Sequence, residues 1–238
     1  MNSKRGSHVG FVISFVIFIT FLVFMYLLLN SRVNFGQDKG NSLEYVKGEI
    51  TERVSGNLTS ASVAINQANP QDCVQLRDFF LETGVNTERF VVRNDSGAVL
   101  TSSKNGNDLF VQRSGSLFFR IYGSEEFLVS STGALNPCQP LTEGSGYTLG
   151  IVRDSKEVFE PKIISFLNNY TADYEGLKTN MQVNPKDEFG FIFTYNNGTE
   201  TRTPEKNLTT NIYIDRIPVQ YVKTNGAIES GFIDAIIW

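Results

Sequence analysis

Residues 9–29 read VGFVISFVIFITFLVFMYLLL, twenty-one residues without a charge and dense in Phe, Ile, Val and Leu. At 1.5 Å rise per residue, a helix of that length covers about 30 Å, the hydrocarbon thickness of a bilayer. The core helix of a soluble protein keeps a polar stripe. Here Gly10, Ser14 and Thr20 are too few and too mild to make one. A removable secretory signal has a shorter apolar run, about 7–15 residues, ending in a small-x-small cleavage site. Leu27-Leu28-Leu29-Asn30-Ser31-Arg32 offers no such site. The stretch therefore predicts a transmembrane helix at 9–29 that acts as a signal-anchor, preceded by a short cytoplasmic N-terminus at 1–8. Lys4 and Arg5 lie together just before the span, whereas Arg32 and Lys39 are spread out after it, so the positive-inside rule favours a cytoplasmic N-terminus.

Outward from the span, the chain changes character. The 238 residues carry a formal charge of −4, and taking away Lys4 and Arg5 leaves 19 basic against 25 acidic residues from Ser31 onward, or −6. An acidic body argues against nucleic acid or an anionic lipid surface as its main partner. The sole histidine is His8, so residues 31–238 contain no imidazole. That excludes a Ser-His-Asp triad, a Cys-His pair and a His-ligated zinc site in the body, and two cysteines cannot build a Cys-only zinc site.

Cys73 and Cys138, the two cysteines, fit one disulfide closing a 65-residue loop outside the cytoplasm, worth roughly 2–4 kcal/mol. The alternative is two unrelated buried thiols. Acceptor sequons for N-glycosylation stand at Asn57, Asn94, Asn169, Asn197 and Asn207 and point weakly the same way.

Residues 30–42, with Gly36 and Gly40 and no apolar period, read as a tether. Leu43, Val46, Ile50 and Val54 recur at helical spacing and predict a juxtamembrane helix ending at Gly56. From about Leu58 to Val152 the signal is strand: Ala61, Val63 and Ile65 alternate with polar residues, as do Leu117, Phe119 and Ile121, and then Tyr147, Leu149 and Ile151. Phe159, Ile163, Leu167, Tyr170, Tyr174, Leu177 and Met181 form one apolar helical stripe, with Asp154 and Glu157 as a capping pair and Pro161 suited to a first turn. Phe189, Phe191, Phe193 and Tyr195 then mark a strand with an aromatic face. Asn197-Gly198 and Asn225-Gly226 read as type I′ hairpin turns, and the second joins arms at 219–223 and 228–238. Strands, a helix and more strands predict an α+β fold: a strand-rich extracytoplasmic domain over 43–238, divisible near 153, with one long amphipathic helix packed on an antiparallel sheet.

With histidine and thiol chemistry set aside, carboxylates remain. Glu125-Glu126, Asp187-Glu188 and Asp215 could supply a glycosidase-like pair, although adjacent acids usually form a solvated surface. Asn105-Gly106-Asn107-Asp108 carries oxygen ligands but reads as a turn, and Gly144-Ser145-Gly146 lacks the rest of a nucleotide-binding motif. No catalytic residue, metal site or cofactor is expected.

Lys4-Arg5-Gly6-Ser7, followed directly by the apolar run, resembles the N-terminus of type IV pilin-like proteins, particularly archaeal ones. The resemblance implies cleavage after Gly6, a mature chain beginning at Ser7, and an apolar helix that first anchors the subunit and then packs against those of other anchored subunits. It covers about 25 residues. Two departures stand out: Phe11 occupies the place where the family often has glutamate, and Gly36 and Gly40 would interrupt the family's long helix. The segment from Tyr170 to Phe193 and the Ile217-Pro218-Val219-Gln220-Tyr221-Val222 hairpin also look like archaeal membrane proteins with an N-terminal span, which assigns no activity. The expectation is thus a non-enzymatic cell-surface protein used for binding or assembly, or alternatively a pilin-like filament subunit.

Overall fold

A computed structural model describes residues 7–68, 70–85, 87–128, 130–133, 135, 137–204 and 211–238. The chain opens with one helix, α1 (Ser7–Val54), and passes without a linker into β1 (Ser55–Ile65). Then follow β2 (Cys73–Leu76), α2 (Phe79–Thr83), β3 (Phe90–Asn94), β4 (Val99–Leu100), β5 (Ser102–Asn105), β6 (Asp108–Gln112), β7 (Phe118–Gly123), β8 (Ser131–Thr132) and β9 (Gln139–Leu141). The last part holds β10 (Tyr147–Phe159), α3 (Glu160–Ala172), α4 (Tyr174–Asn180), β11 (Phe189–Thr194), β12 (Glu200–Arg202), β13 (Tyr213–Val222) and β14 (Ile228–Ile237). The fold is α+β, with an apolar N-terminal helix and a large strand-rich body.

The tether expected over 30–42 is helical instead: α1 is continuous for 48 residues, about 70 Å at the α-helical rise. Gly36 and Gly40 each cost about 1 kcal/mol relative to Ala, too little to break a helix held at its far end by tertiary contacts. Those contacts are made by Val46, Ile50 and Val54, all fully buried in the body.

A nine-stranded sheet runs in the order β12-β11-β14-β13-β10-β1-β7-β3-β4, and a five-stranded sheet in the order β8-β5-β6-β2-β9. The large sheet is covered twice. At one end, α1, α3 and α4 pack on β11, β14 and β13, enclosing Ile163, Phe166, Tyr170, Phe189, Phe191 and Phe193. Aromatic contacts hold this layer together, with ring centroids 5.1 Å apart for Phe166–Phe191 and 5.4 Å for Tyr170–Phe189. At the other end the five-stranded sheet faces β1, β7 and β3 across a second core containing Val63, Val74, Phe79, Phe119, Ile121 and Tyr147.

The two halves of the large sheet meet at a narrow seam, because β10 and β13 pair in parallel only at Val158–Tyr221 and Phe159–Val222. Leu58, Tyr122, Phe127, Phe159 and Val222 fill a small third core there. The division expected near 153 falls inside β10, which pairs with β1 all the way from Tyr147 to Val158 and so belongs to both halves.

Three local expectations are also corrected. Asp154 and Glu157 lie within β10 and cap nothing; α3 starts at Glu160, with Pro161 in its first turn as foreseen. The single long helix is two, divided at Asp173, whose non-helical backbone ends α3 and whose carboxylate accepts the Gly176 N–H (2.9 Å) to cap α4. The inward alternation Tyr147, Leu149, Ile151 fails at Ile151, which is 79% exposed. The cause is a bulge: Ala61 pairs with Val152 but Val63 with Leu149, so two residues of β10 oppose Ser62. Gly150 permits that approach, since a Cβ there would lie 2.4 Å from the Ser62 hydroxyl.

The two Asn-Gly hairpins form, but not as type I′ turns. Gly198 and Gly226 have positive φ while Asn197 and Asn225 do not. Each is a type I turn followed by a left-handed glycine, the usual three-residue hairpin.

Candidate functional site

The features that could act sit at three places: the apolar length of α1, the junction where α1 enters the body, and the polar surface of the sheet.

Over Gly10–Leu27, α1 is long and apolar enough to cross a membrane, and none of it is buried by the body. Phe11, Val16, Phe21 and Tyr26, on different sides of the helix, are each more than half exposed. Helix propensity alone does not support so much exposed apolar surface in water; the segment needs an apolar surrounding.

At the junction, polar contacts collar the buried stripe of Val46, Ile50 and Val54. Lys39 pairs with Asp187 at 2.6 Å, and both side chains are largely covered. The Tyr45 hydroxyl donates to the Met181 carbonyl (3.0 Å), and Arg53 donates to the Asn180 carbonyl (3.0 Å). Lys47 bonds Glu44 and, at 2.9 Å, Asp215; these two carboxylates, Glu44 foremost, hold its ammonium above the ordinary lysine value. A helix fixed this way leaves the body at a set angle.

The candidate carboxylates are therefore dispersed, each beside a cation. Glu125 lies 3.7 Å from Arg89 and Glu126 3.3 Å from Lys162. Asp187 pairs with Lys39, Glu188 with Lys178 at 2.8 Å, and Asp215 with Lys47. Each of these carboxylates is thus held by a cation of its own. Asn105-Gly106-Asn107-Asp108 turns β5 into β6, and Asp108 accepts from Gln75 Nε2 (2.6 Å) and the Asp78 N–H (2.9 Å). Gly144-Ser145-Gly146 is a turn before β10. Among the described residues no three His, Cys, Asp or Glu side chains gather as metal ligands.

Cys73 and Cys138 are joined as a disulfide, their Cα atoms 4.5 Å apart. The bond lies beside the parallel β2–β9 pairing, at Val74–Gln139, and fastens the end strand of the five-stranded sheet.

A concavity of about 600 Å³ lies where β1, β7 and β10 run beside Gly84 and Thr87, and is lined by Asn57, Thr59, Ser124, Glu125, Asp154 and Lys156. The Thr59 hydroxyl donates to Asp154 (2.6 Å) and the Ser124 hydroxyl to the Asn57 carbonyl (2.7 Å), so these polar groups satisfy one another. On the outer face of the helix-covered half, Arg216 makes a two-pronged contact with buried Asp234 (2.6 and 2.7 Å), which raises the arginine further above its usual value. Sequence reasoning passed over this cross-strand pair; the Asn225-Gly226 turn, which sets the register of β13 against β14, was the signal that could have found it.

Of the sequons, Asn57 lies in β1, Asn94 ends β3, Asn169 is on α3 and Asn197 is at the β11–β12 turn; Asn207 and Gly6 lie outside the described residues, and Ser7 is the first residue of α1. The chain matches no family model, no curated protein and no solved structure.

Proposed function

We propose that the chain is a single-pass membrane protein: residues 9–29 span the cell membrane, the N-terminus is cytoplasmic, and the body is held outside for binding or assembly rather than catalysis. The observation that carries this reading is the two-part nature of α1. One continuous helix is wholly exposed and apolar over Gly10–Leu27 and buried in the body's core at Val46, Ile50 and Val54. An apolar rod rigidly built into a folded body is suited to fixing that body at a membrane. Lys4 and Arg5 and the Cys73–Cys138 disulfide support the outward orientation. Protease treatment of intact cells tests it: the body should be degraded from outside, and protection until the cells are lysed would overturn the orientation.

The unbroken helix favours a second reading, a pilin-like subunit processed after Gly6. The interruption that told against it at Gly36 and Gly40 is absent, and an apolar rod entering the body is the shape needed by a subunit whose helices bundle in a filament core. Intact-mass measurement decides between the readings. A chain starting at Ser7 and recovered in filaments supports the second; one starting at Met1, made in a host with prepilin peptidase, refutes it.

A further inference from the structure

We infer that Asn197 is an attachment site for an N-linked glycan on the folded chain and that Asn57 and Asn169 are not. The biological setting rests on the body lying outside the cytoplasm, as proposed above; the geometry does not.

The transfer needs the Asn side-chain amide and the hydroxyl two residues on to be presented together, on backbone that an enzyme can grasp. At the β11–β12 turn this is already so. Residues 196–200 are all exposed, and Thr199 donates to Asn197 Oδ1 from both its hydroxyl (2.7 Å) and its N–H (3.0 Å). The hydroxyl and the acceptor amide are thus in contact. Oδ1 is occupied by these two bonds, and the left-handed Gly198 holds the turn.

Asn94, at the end of β3, also accepts the hydroxyl two residues on, from Ser96 (2.8 Å), whereas Asn57 and Asn169 fail for distinct reasons. Asn57 and Thr59 lie inside β1, which is paired with β10 at Asn57–Lys156 and with β7 at Thr59–Gly123, and the Thr59 hydroxyl is engaged by Asp154 (2.6 Å). Asn169 and Thr171 are two residues apart on α3, hence about 200° apart around the helix, and the Thr171 hydroxyl donates to the Leu167 carbonyl (3.0 Å). Both would have to leave their secondary structure before reacting. The step takes a lipid-linked oligosaccharyl phosphate as donor. A bond forms between Asn197 Nδ2 and the anomeric carbon, the bond from that carbon to the phosphate oxygen breaks, the phosphate leaves with the electron pair, and one Nδ2 proton passes to base.

The test uses the purified, folded full chain in detergent with a purified oligosaccharyltransferase and a lipid-linked oligosaccharide, read by peptide mass spectrometry. The expected result is transfer to Asn197 at least about tenfold faster than to Asn57 or Asn169, with the difference vanishing once the chain is reduced and unfolded. Thr199→Ala should abolish transfer and Thr199→Ser should retain it. A folded chain unmodified at Asn197, or modified as fast at Asn57 or Asn169, would overturn the inference. Because this assay does not depend on where the body resides, such a failure is distinct from protection of the body on intact cells.

Discussion

Replacing Ile50 by Ala tests whether α1 is a structural part of the body or merely attached to it. Ile50 is fully buried in the core shared with α3, β13 and β14. The substitution removes three carbons, worth about 2.4 kcal/mol at about 0.8 kcal/mol each, and leaves a cavity that adds to the loss. A total of about 3 kcal/mol follows, within the usual range of about 2–5 kcal/mol for such truncations. With a urea dependence of roughly 2–3 kcal/mol/M, the midpoint should fall by about 1–1.5 M. The chain supplies its own reporter: Trp238, its one tryptophan, exchanges backbone hydrogen bonds with Glu188 at 3.0 Å in the same half of the body. Fluorescence-monitored urea unfolding in detergent reads the midpoint. Ile17→Ala is the control, because Ile17 is 62% exposed on the apolar length of the helix. It should leave the midpoint unchanged. Equal shifts for the two variants, or no shift for Ile50→Ala, would refute the docking described here.

Three further outcomes are expected. Removing the disulfide with Cys73→Ser and Cys138→Ser together should cost up to about 4 kcal/mol, from the chain-entropy model for a 65-residue loop, so an unfolding midpoint unchanged from the oxidised protein would contradict its structural role. Gly231→Ala should destabilise by about 1–3 kcal/mol, because its Cβ would lie 2.7 Å from the Thr194 carbonyl oxygen of the neighbouring strand; calorimetry checks this. Burial raises the hydroxyls of Tyr147 and Tyr170 from 10.0 to about 12. Their contribution is therefore full below pH 10 and lost as pH climbs toward about 12, and Tyr147→Phe should flatten that alkaline decline in a series of urea titrations.

What could be read from the residues followed from short-range physics. The apolar run of α1, the β13–β14 hairpin and the aromatic face of β11 are written in periods of 3.6 and 2 with clear turn residues between them. What could not be read depended on partners distant in sequence. Gly36 and Gly40 look like a break until Val46, Ile50 and Val54 are seen to be gripped by β13, β14 and α3. Ile151 looks inward until the bulge opposite Ser62 turns it out. Asp173 divides the long helical stripe through a local choice, capping α4 instead of extending α3, that the apolar pattern does not register. For the candidate carboxylates, composition named the chemistry, but only tertiary structure showed that Lys39, Lys178 and Lys47 neutralise Asp187, Glu188 and Asp215 separately.

The absence of any linker between Val54 and Ser55 has a mechanical consequence. A pull transmitted along α1 arrives at the first residue of β1 with no slack to take up. That strand is gripped on both flanks, by β10 along nearly its whole length and by β7 from Thr59 to Ala64. A strand held on two sides cannot be peeled away from one neighbour bond by bond, so the load is divided among many hydrogen bonds at once. The body would thus bear tension through its central strand, while the narrow β10–β13 seam lies to one side of that path.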